Sequence, residues 1–168
     1  LRNITRKHQF IFYWLPVFII AGVIFYSSST PYGDQDIRPQ LNYFSKLSNF
    51  IGLFDFVQIT YAGKVISIET VGTAGFAEFI IRKLAHFTIF LCLAFFTTRL
   101  VRIYYKHYFI TGLLLTVLYA ASDEFHQSFT ADRTPLMQDV LIDSAGAIVG
   151  ACLYVIIFKS RILKRKQM

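Results

Sequence analysis

The chain has 168 residues, enough for one domain, of which 55% are hydrophobic, including 18 Phe and 10 Tyr, and its mean hydropathy is +0.49. A water-soluble domain of that size has too little interior for so much apolar surface, so the composition predicts an integral membrane protein. The net charge of +7 does not point to nucleic acid, because 11 of the 17 Lys and Arg fall in Leu1–His8, Arg99–His107 and Lys159–Met168, acid-free bands beside apolar runs, as the positive-inside rule expects.

The first predicted span is Phe10–Tyr26, entered from Arg2, Arg6 and Lys7, with Pro16 expected to kink it. Ser27-Ser28-Ser29-Thr30-Pro31 ends it. No small-residue cleavage site follows the run, so it reads as a retained span and not as a signal peptide. Residues 27–77 form the longest segment predicted outside the bilayer. Asp34, Asp36, Asp55 and Glu69 outweigh Arg38, Lys46 and Lys64 there, which suits the external side. Within it, Leu41, Phe44, Leu47 and Ile51 are spaced as in a short amphipathic helix over Pro39–Phe50. Val57, Ile59 and Tyr61 then alternate with Gln58 and Thr60, Ala62-Gly63 breaks the run, and Val65–Glu69 follows, the pattern of a β-hairpin.

Leu84–Thr98 alone would cover only about 22 Å of a roughly 30 Å hydrocarbon core. The second span is therefore predicted over 78–98, which draws Arg82, Lys83 and His86 into the outer leaflet. Arg99–His107 becomes a cytoplasmic turn rich in Tyr. Tyr108–Ser122 is equally short, so the third span is predicted over 108–127 and carries Asp123, Glu124 and Gln127 at its end. The fourth runs over 139–158, with Asp143 one turn in. Gly146 and Gly150 give it a small-xxx-small face for close helix approach. Cys92 and Cys152 sit mid-span and read as packing residues. The expected fold is thus one all-α membrane domain over 1–168. It has four transmembrane helices, cytoplasmic termini, and a small external insertion of amphipathic helix plus hairpin between helices 1 and 2.

This arrangement gathers Arg82, Lys83, His86, Asp123, Glu124, Gln127, Arg133, Asp139 and Asp143 at the external ends of three helices. Ionisable groups inside a bilayer are costly unless paired and are functional suspects for that reason. Residues three or four apart share a helix face, which puts Arg82 and Lys83 near His86, Asp123 with Gln127, and Asp139 with Asp143. The last pair repels itself unless Arg82, Lys83 or Arg133 lies opposite. One reading is an ion-pair lock between helices. The other is an outward polar cavity that also holds a ligand. His86 is either a general base or a helix-pinning hydrogen bonder. Arg133 either neutralises Asp139 or binds an external anion. Glu124 and His126 point to different helix faces, His126 reads as interfacial, and Asp132 reads as a solvated loop residue. No hydrolase, Walker or zinc motif is present, and neither a metal nor a cofactor is expected. Acid–base chemistry by His86, Asp123 and Glu124 is the catalytic option left.

At Arg82-Lys83-Leu-Ala-His86-Phe87, Asp123-Glu124-Phe-His-Gln127-Ser-Phe, Arg133 and Asp139-Val-Leu-Ile-Asp143-Ser-Ala-Gly146, the chain resembles the VanZ-like family of bacterial membrane proteins. Ser28-Ser29 before Pro31 and the Gly75-Phe76-Ala-Glu78-Phe79 lead-in also resemble that family. Thr130-Ala131-Asp132 departs from the Val-Pro-Gly expected before Arg133. The resemblance implies a multi-pass protein of the plasma membrane in a Gram-positive cell envelope, with low-level resistance to teicoplanin-like glycopeptides and lipoglycopeptides. The expected partners are membrane lipids together with a lipid-linked cell-wall precursor or a lipoglycopeptide antibiotic, held in the polar pocket. The alternative is a membrane hydrolase or transferase acting on a lipid-linked substrate.

Overall fold

The computed structural model describes residues 10–43, 51, 55–131 and 133–166, with side chains described as far as Phe158. A π-helical turn, Phe10–Trp14, leads into helix α1, Leu15–Ser29. Pro16 stands in the first turn of α1, where a missing N–H costs least, and its ring crowds the carbonyl of Phe12 in the turn before. Next to this proline the backbone bonding changes from π to α. Thr30 leaves the helix extended (φ −87°, ψ 128°), as a residue before proline prefers. A 3-10 turn, Gly33–Gln35, and a short helix α2, Arg38–Tyr43, follow. The amphipathic reading continues into residues 44–50, which lie outside the described residues, as does Asp132.

The hairpin forms as expected. Strand β1, Ile59–Tyr61, pairs antiparallel with β2, Lys64–Ile66, in the register Ile59↔Ile66, Thr60↔Val65 and Tyr61↔Lys64. Its two-residue turn has Ala62 at φ 52° and Gly63 at φ 75°, the type I′ geometry that matches strand twist. Helix α3, Ile68–Val101, starts at a reciprocal cap in which Ser67 and Thr70 each accept the other's backbone N–H. Gly72 interrupts α3 at φ 72°, ψ 166°, a conformation that an L side chain would strain. The helix that enters the bundle therefore begins after Gly72, several residues before the predicted start of the second span. Helix α4, Tyr108–Gln127, has the predicted bounds, and α5 runs Met137–Lys166.

Helices α3, α4 and α5 form the tight part of the bundle, and α3 against α5 is its closest seam. A Cβ on Gly146 would stand 2.2 Å from the Phe87 carbonyl oxygen, and one on Gly150 would stand 2.0 Å from that of Leu91. Helix α1 packs more sparsely, through Ile24 against Phe90, Leu93 and Ala120. Its other apolar side chains, Phe18, Ile19, Val23 and Phe25 among them, face outward, as they would toward lipid. Among the described residues, three helices are long and apolar enough to cross a membrane: Phe10–Ser29, Ile68–Val101 and Met137–Phe158. Helix α4 is about 30 Å long, but its last turns carry Asp123, Glu124, His126 and Gln127.

Candidate functional site

All nine expected residues lie at the hairpin end of the bundle, yet they divide into separate groups instead of one cluster. The first joins α1, α4 and the loop before α5. Ser28 donates its Oγ to Asp123 Oδ1 at 2.6 Å, and Gln127 Nε2 donates to Asp123 Oδ2 at 2.9 Å. Arg133 donates through Nη1 to Gln127 Oε1 (3.4 Å) and through Nη2 to Gln35 Oε1 (2.8 Å) and the carbonyls of Ser27 and Thr30 (both 3.2 Å). Every one of these acceptors is neutral. Burial, then the nearby Arg82, lowers the Arg133 pKa from its ordinary value, but a guanidinium remains charged throughout.

The second group surrounds Glu78, which is 2% exposed. Arg82, one helical turn on, donates to Glu78 Oε1 through Nη2 (2.9 Å) and Nε (3.2 Å). Tyr32 donates to Oε2 at 3.1 Å, and Arg38 lies 3.4 Å from the same oxygen. Arg82 also donates to the Gln35 carbonyl at 2.6 Å, so Gln35 links Arg82 to Arg133. Arg82 is thus not the counter-ion of Asp139 or Asp143. Burial and the Glu78 carboxylate raise the Tyr32 phenol above its usual pKa.

In the third group Lys83 pairs with Asp139, which also accepts from Tyr61 of the hairpin at 2.5 Å. The Lys83 ammonium stands 4.3 Å from the centre of the Tyr61 ring. Burial, then the hydrogen bond to Asp139, raises the Tyr61 pKa. The fourth group is His86 and Asp143, with Nδ1 and Oδ1 3.4 Å apart, an ion-pair separation lacking hydrogen-bond alignment. Asp143 is fully buried, and neither of its oxygens has a hydrogen-bond partner among the described residues. Glu124 accepts from the Leu136 backbone N–H at 2.8 Å, and its other oxygen is likewise without a partner there. His126 stacks on Phe25 of α1 at 4.4 Å. Among the described residues no set of three or more His, Cys, Asp or Glu could hold a metal ion.

Sequence reasoning left Glu78, Tyr32, Gln35, Arg38, Tyr61 and Ser28 out of the site. The i,i+4 spacing of Glu78 and Arg82 was a usable signal. Tyr32, Gln35, Arg38 and Tyr61 come from the segment between α1 and α3 and Ser28 from the end of α1, at sequence distances no periodicity reports.

A cavity of about 240 Å³ opens between α1, α3 and α4. Ser28, His86, Asp123, Gln127 and Arg133 form its polar end, while Val23, Ile24, Ile89 and Phe90 form its apolar end. A second cavity, of about 410 Å³, lies under the hairpin and is lined by Tyr32, Arg38, Tyr61, Glu78, Arg82 and Lys83, among others. In the second, the described cations already face Glu78, Asp36 or Asp139, apart from Lys64. In the first, Arg133 faces neutral acceptors only. Arg133 thus differs from those cations in having no direct ion pair among the described residues, while the carboxylates of Asp123, Glu124 and Asp139 act on it through space.

A family model described as VanZ/LLP1 matches residues 10–159. No curated protein and no solved structure matches the chain.

Proposed function

The chain belongs to the VanZ/LLP1 family, and from that membership we propose a cell-envelope protein whose hairpin-end cavity holds an anionic amphiphile, a role of the glycopeptide-resistance kind. The observation that carries this reading is Arg133, a half-buried cation with neutral acceptors on its guanidinium, set at the polar end of a cavity whose other end is apolar. A charge held by neutral dipoles keeps its field for a ligand, whereas an ion-paired one has spent it. Asp123 shares the cavity and likewise keeps its charge, its two oxygens being held by the neutral donors Ser28 and Gln127, so the head that fits must reach the Arg133 guanidinium clear of that carboxylate. The ligand class is a phosphate- or carboxylate-headed lipid, a lipid-linked wall precursor or a lipidated antibiotic.

The same reading takes α4 as a fourth span and sets the hairpin outside and both termini inside. Arg99, Arg102 and Lys106 mark the inner end, and Tyr13, Trp14, Tyr104, Tyr105 and Tyr108 gather with them, as an aromatic belt does at a membrane interface. The test is native mass spectrometry of the protein taken from phosphatidylcholine nanodiscs doped with phosphatidic acid. Arg133→Gln should lower retained phosphatidic acid at least ten-fold, and Lys83→Gln, whose charge is already matched by Asp139, should lower it much less. Equal retention by the parent protein and Arg133→Gln overturns the reading.

A second reading, a membrane hydrolase or transferase, is favoured by the His86–Asp143 geometry. A buried carboxylate facing Nδ1 orients an imidazole that lines the cavity and leaves Nε2 as the ring nitrogen it does not engage. Asp143→Asn and Glu124→Gln should then abolish any product formed from a lipid-linked substrate while leaving its affinity unchanged. A parent protein that binds such a substrate and returns it unaltered removes this reading.

A further inference from the structure

A third cavity, of about 310 Å³, lies in the same seam between α1, α3 and α4, toward the other end of the bundle. Its walls are almost wholly apolar, and they include Trp14, Ala21, Leu93, Thr97, Leu115 and Tyr119. Its volume falls within the range of ligand sites, roughly 300–1,000 Å³. The two cavities lie in line along the seam, about one helical turn apart. Ile89 and Leu93 on α3, and Tyr119 and Asp123 on α4, are one helical turn apart, the first of each pair or its partner lining one cavity and the other lining the next. Between them the seam is Val17, Ile20 and Ala21 packed on Phe90, Leu93 and Ala120, with no charged side chain.

From Ala85 at the outer cavity to Val101 at the inner one, the rise along α3 is about 24 Å. That is most of the roughly 30 Å hydrocarbon thickness of a bilayer. Helix α1, which roofs the seam, is the sparsely packed member of the bundle, and three polar contacts pin it at different depths. These are Ser28 on Asp123, the Tyr119 hydroxyl on the Ala21 carbonyl (2.7 Å), and Trp14 Nε1 on the Tyr104 hydroxyl (3.2 Å).

We propose that this seam under α1 is a binding track for one long hydrocarbon chain, whose anionic head sits at Arg133 and whose tail ends in the cavity lined by Leu93, Thr97 and Leu115. The inference rests on the amphiphile reading above and deepens it, since it fixes the ligand as long-chained and places its far end. The occupant follows from alignment and charge: Arg133, with no direct ion pair among the described residues, stands at the polar end of a seam whose far end is an apolar cavity, and a tail joins the two by parting the packing of the sparsely held α1 between them, in a protein whose solvent is lipid. A short anion would leave the inner cavity unfilled, and an uncharged hydrocarbon would leave Arg133 unanswered.

The full chain in phosphatidylcholine nanodiscs is photolabelled with three probes: a 12-carbon alkyl phosphate and a 5-carbon alkyl phosphate, each with a terminal diazirine, and the 12-carbon alcohol with the same diazirine. The long phosphate should label Leu93, Thr97 and Leu115, and the short one Val23, Ile89 and Phe90. Thr97→Phe should cut inner labelling at least five-fold and leave labelling by the short phosphate unchanged. Leu115→Trp, a change at a half-exposed position, serves as a second block should Thr97→Phe fold poorly. Long-probe label spread over the exposed Phe18, Ile19, Leu118 and Leu141, and indifferent to either block, overturns the tail track and leaves the Arg133 reading standing. Inner labelling as strong with the alcohol as with the phosphate supports the track and removes the anionic-head reading instead.

Discussion

Ser28 on α1 and Asp123 on α4 are both buried and share a 2.6 Å hydrogen bond across 95 positions of sequence. This bond, backed by the Thr130 hydroxyl on the Ser28 carbonyl at 2.9 Å, ties the loosely packed α1 to the bundle at the polar end. Ser28→Ala removes a donor from a buried carboxylate that then keeps only Gln127. The expected cost is roughly 1–2 kcal/mol. It should appear as a lower midpoint of denaturant unfolding in detergent. Ser28→Thr, which keeps the hydroxyl, should recover most of it. An unchanged midpoint in Ser28→Ala would show that the bond contributes nothing net.

The glycines of the bundle predict opposite outcomes from one kind of substitution. Gly146→Ala and Gly150→Ala each place a methyl within 2.2 Å of a backbone carbonyl oxygen on α3, an atom that cannot swing aside. Helices α3 and α5 must separate, at an expected cost of roughly 1–3 kcal/mol each. Gly22→Ala on α1 meets nothing within 4 Å. It should stabilise by about 0.5–1 kcal/mol through helix propensity. Thermal midpoints of the three variants in one detergent test the ordering, and a Gly146→Ala protein as stable as its parent would refute the close approach.

Lys83 and Asp139 bear on whether the polar end is a lock or a site. Lys83→Met strands a buried carboxylate, and breaking such a pair from one side costs about 3–5 kcal/mol. Exchanging both residues, Lys83→Met with Asp139→Leu, should recover most of that loss, although Tyr61 then loses its acceptor. Unfolding free energies around this double-mutant cycle measure the coupling. A double variant no more stable than Lys83→Met alone would mean that Asp139 has duties beyond its lysine.

Asp36 makes the pH dependence legible. It is only partly exposed, and hydrogen bonds from the Arg38 side chain and backbone hold its pKa at about 2, below the ordinary 3.8. A depressed carboxylate contributes its stabilisation above the unfolded value, and the contribution fades as pH falls through 3.8 toward 2. The parent protein and Asp36→Asn should therefore differ in local order at the start of α2 at neutral pH and converge by the lower limit. Carboxyl-carbon NMR shifts of Asp36 followed over that window give the titration directly. A midpoint near 3.8 would show that Arg38 does not hold it.

Much of the fold could be read from local signals, and the physical reason is plain in α4. A band of Arg and Tyr precedes Tyr108 and Gln127 is followed by turn residues, so both ends are marked in sequence. The hairpin was readable because Ala62-Gly63 interrupts a period-two run. The partners within the polar end were less so. Arg82 and Lys83 are neighbours in sequence, but one residue turns a helix by about 100°, so Arg82 meets Glu78 and Gln35 while Lys83 meets Asp139 and Tyr61. Which cation answers which carboxylate depends on where the segment between α1 and α3 folds back. That is set by tertiary contacts of Tyr32, Gln35 and Tyr61, not by spacing.

Helix α4 decides how many times the chain crosses the membrane. It runs the height of the bundle, with Gly112 against Thr98 at one end and Asp123 against Ser28 at the other. On the four-span reading proposed above, a helix so placed among Phe10–Ser29, Ile68–Val101 and Met137–Phe158 crosses the bilayer with them. Lys106 before α4 and Ala131 in the loop after it then fall in opposite compartments. In a background with Cys92 and Cys152 replaced by Ala, Ala131→Cys should react with a membrane-impermeant maleimide in intact cells. Lys106→Cys should react only after the membrane is opened. The reverse pattern would invert the orientation, and labelling of both sites in intact cells would remove α4 as a span.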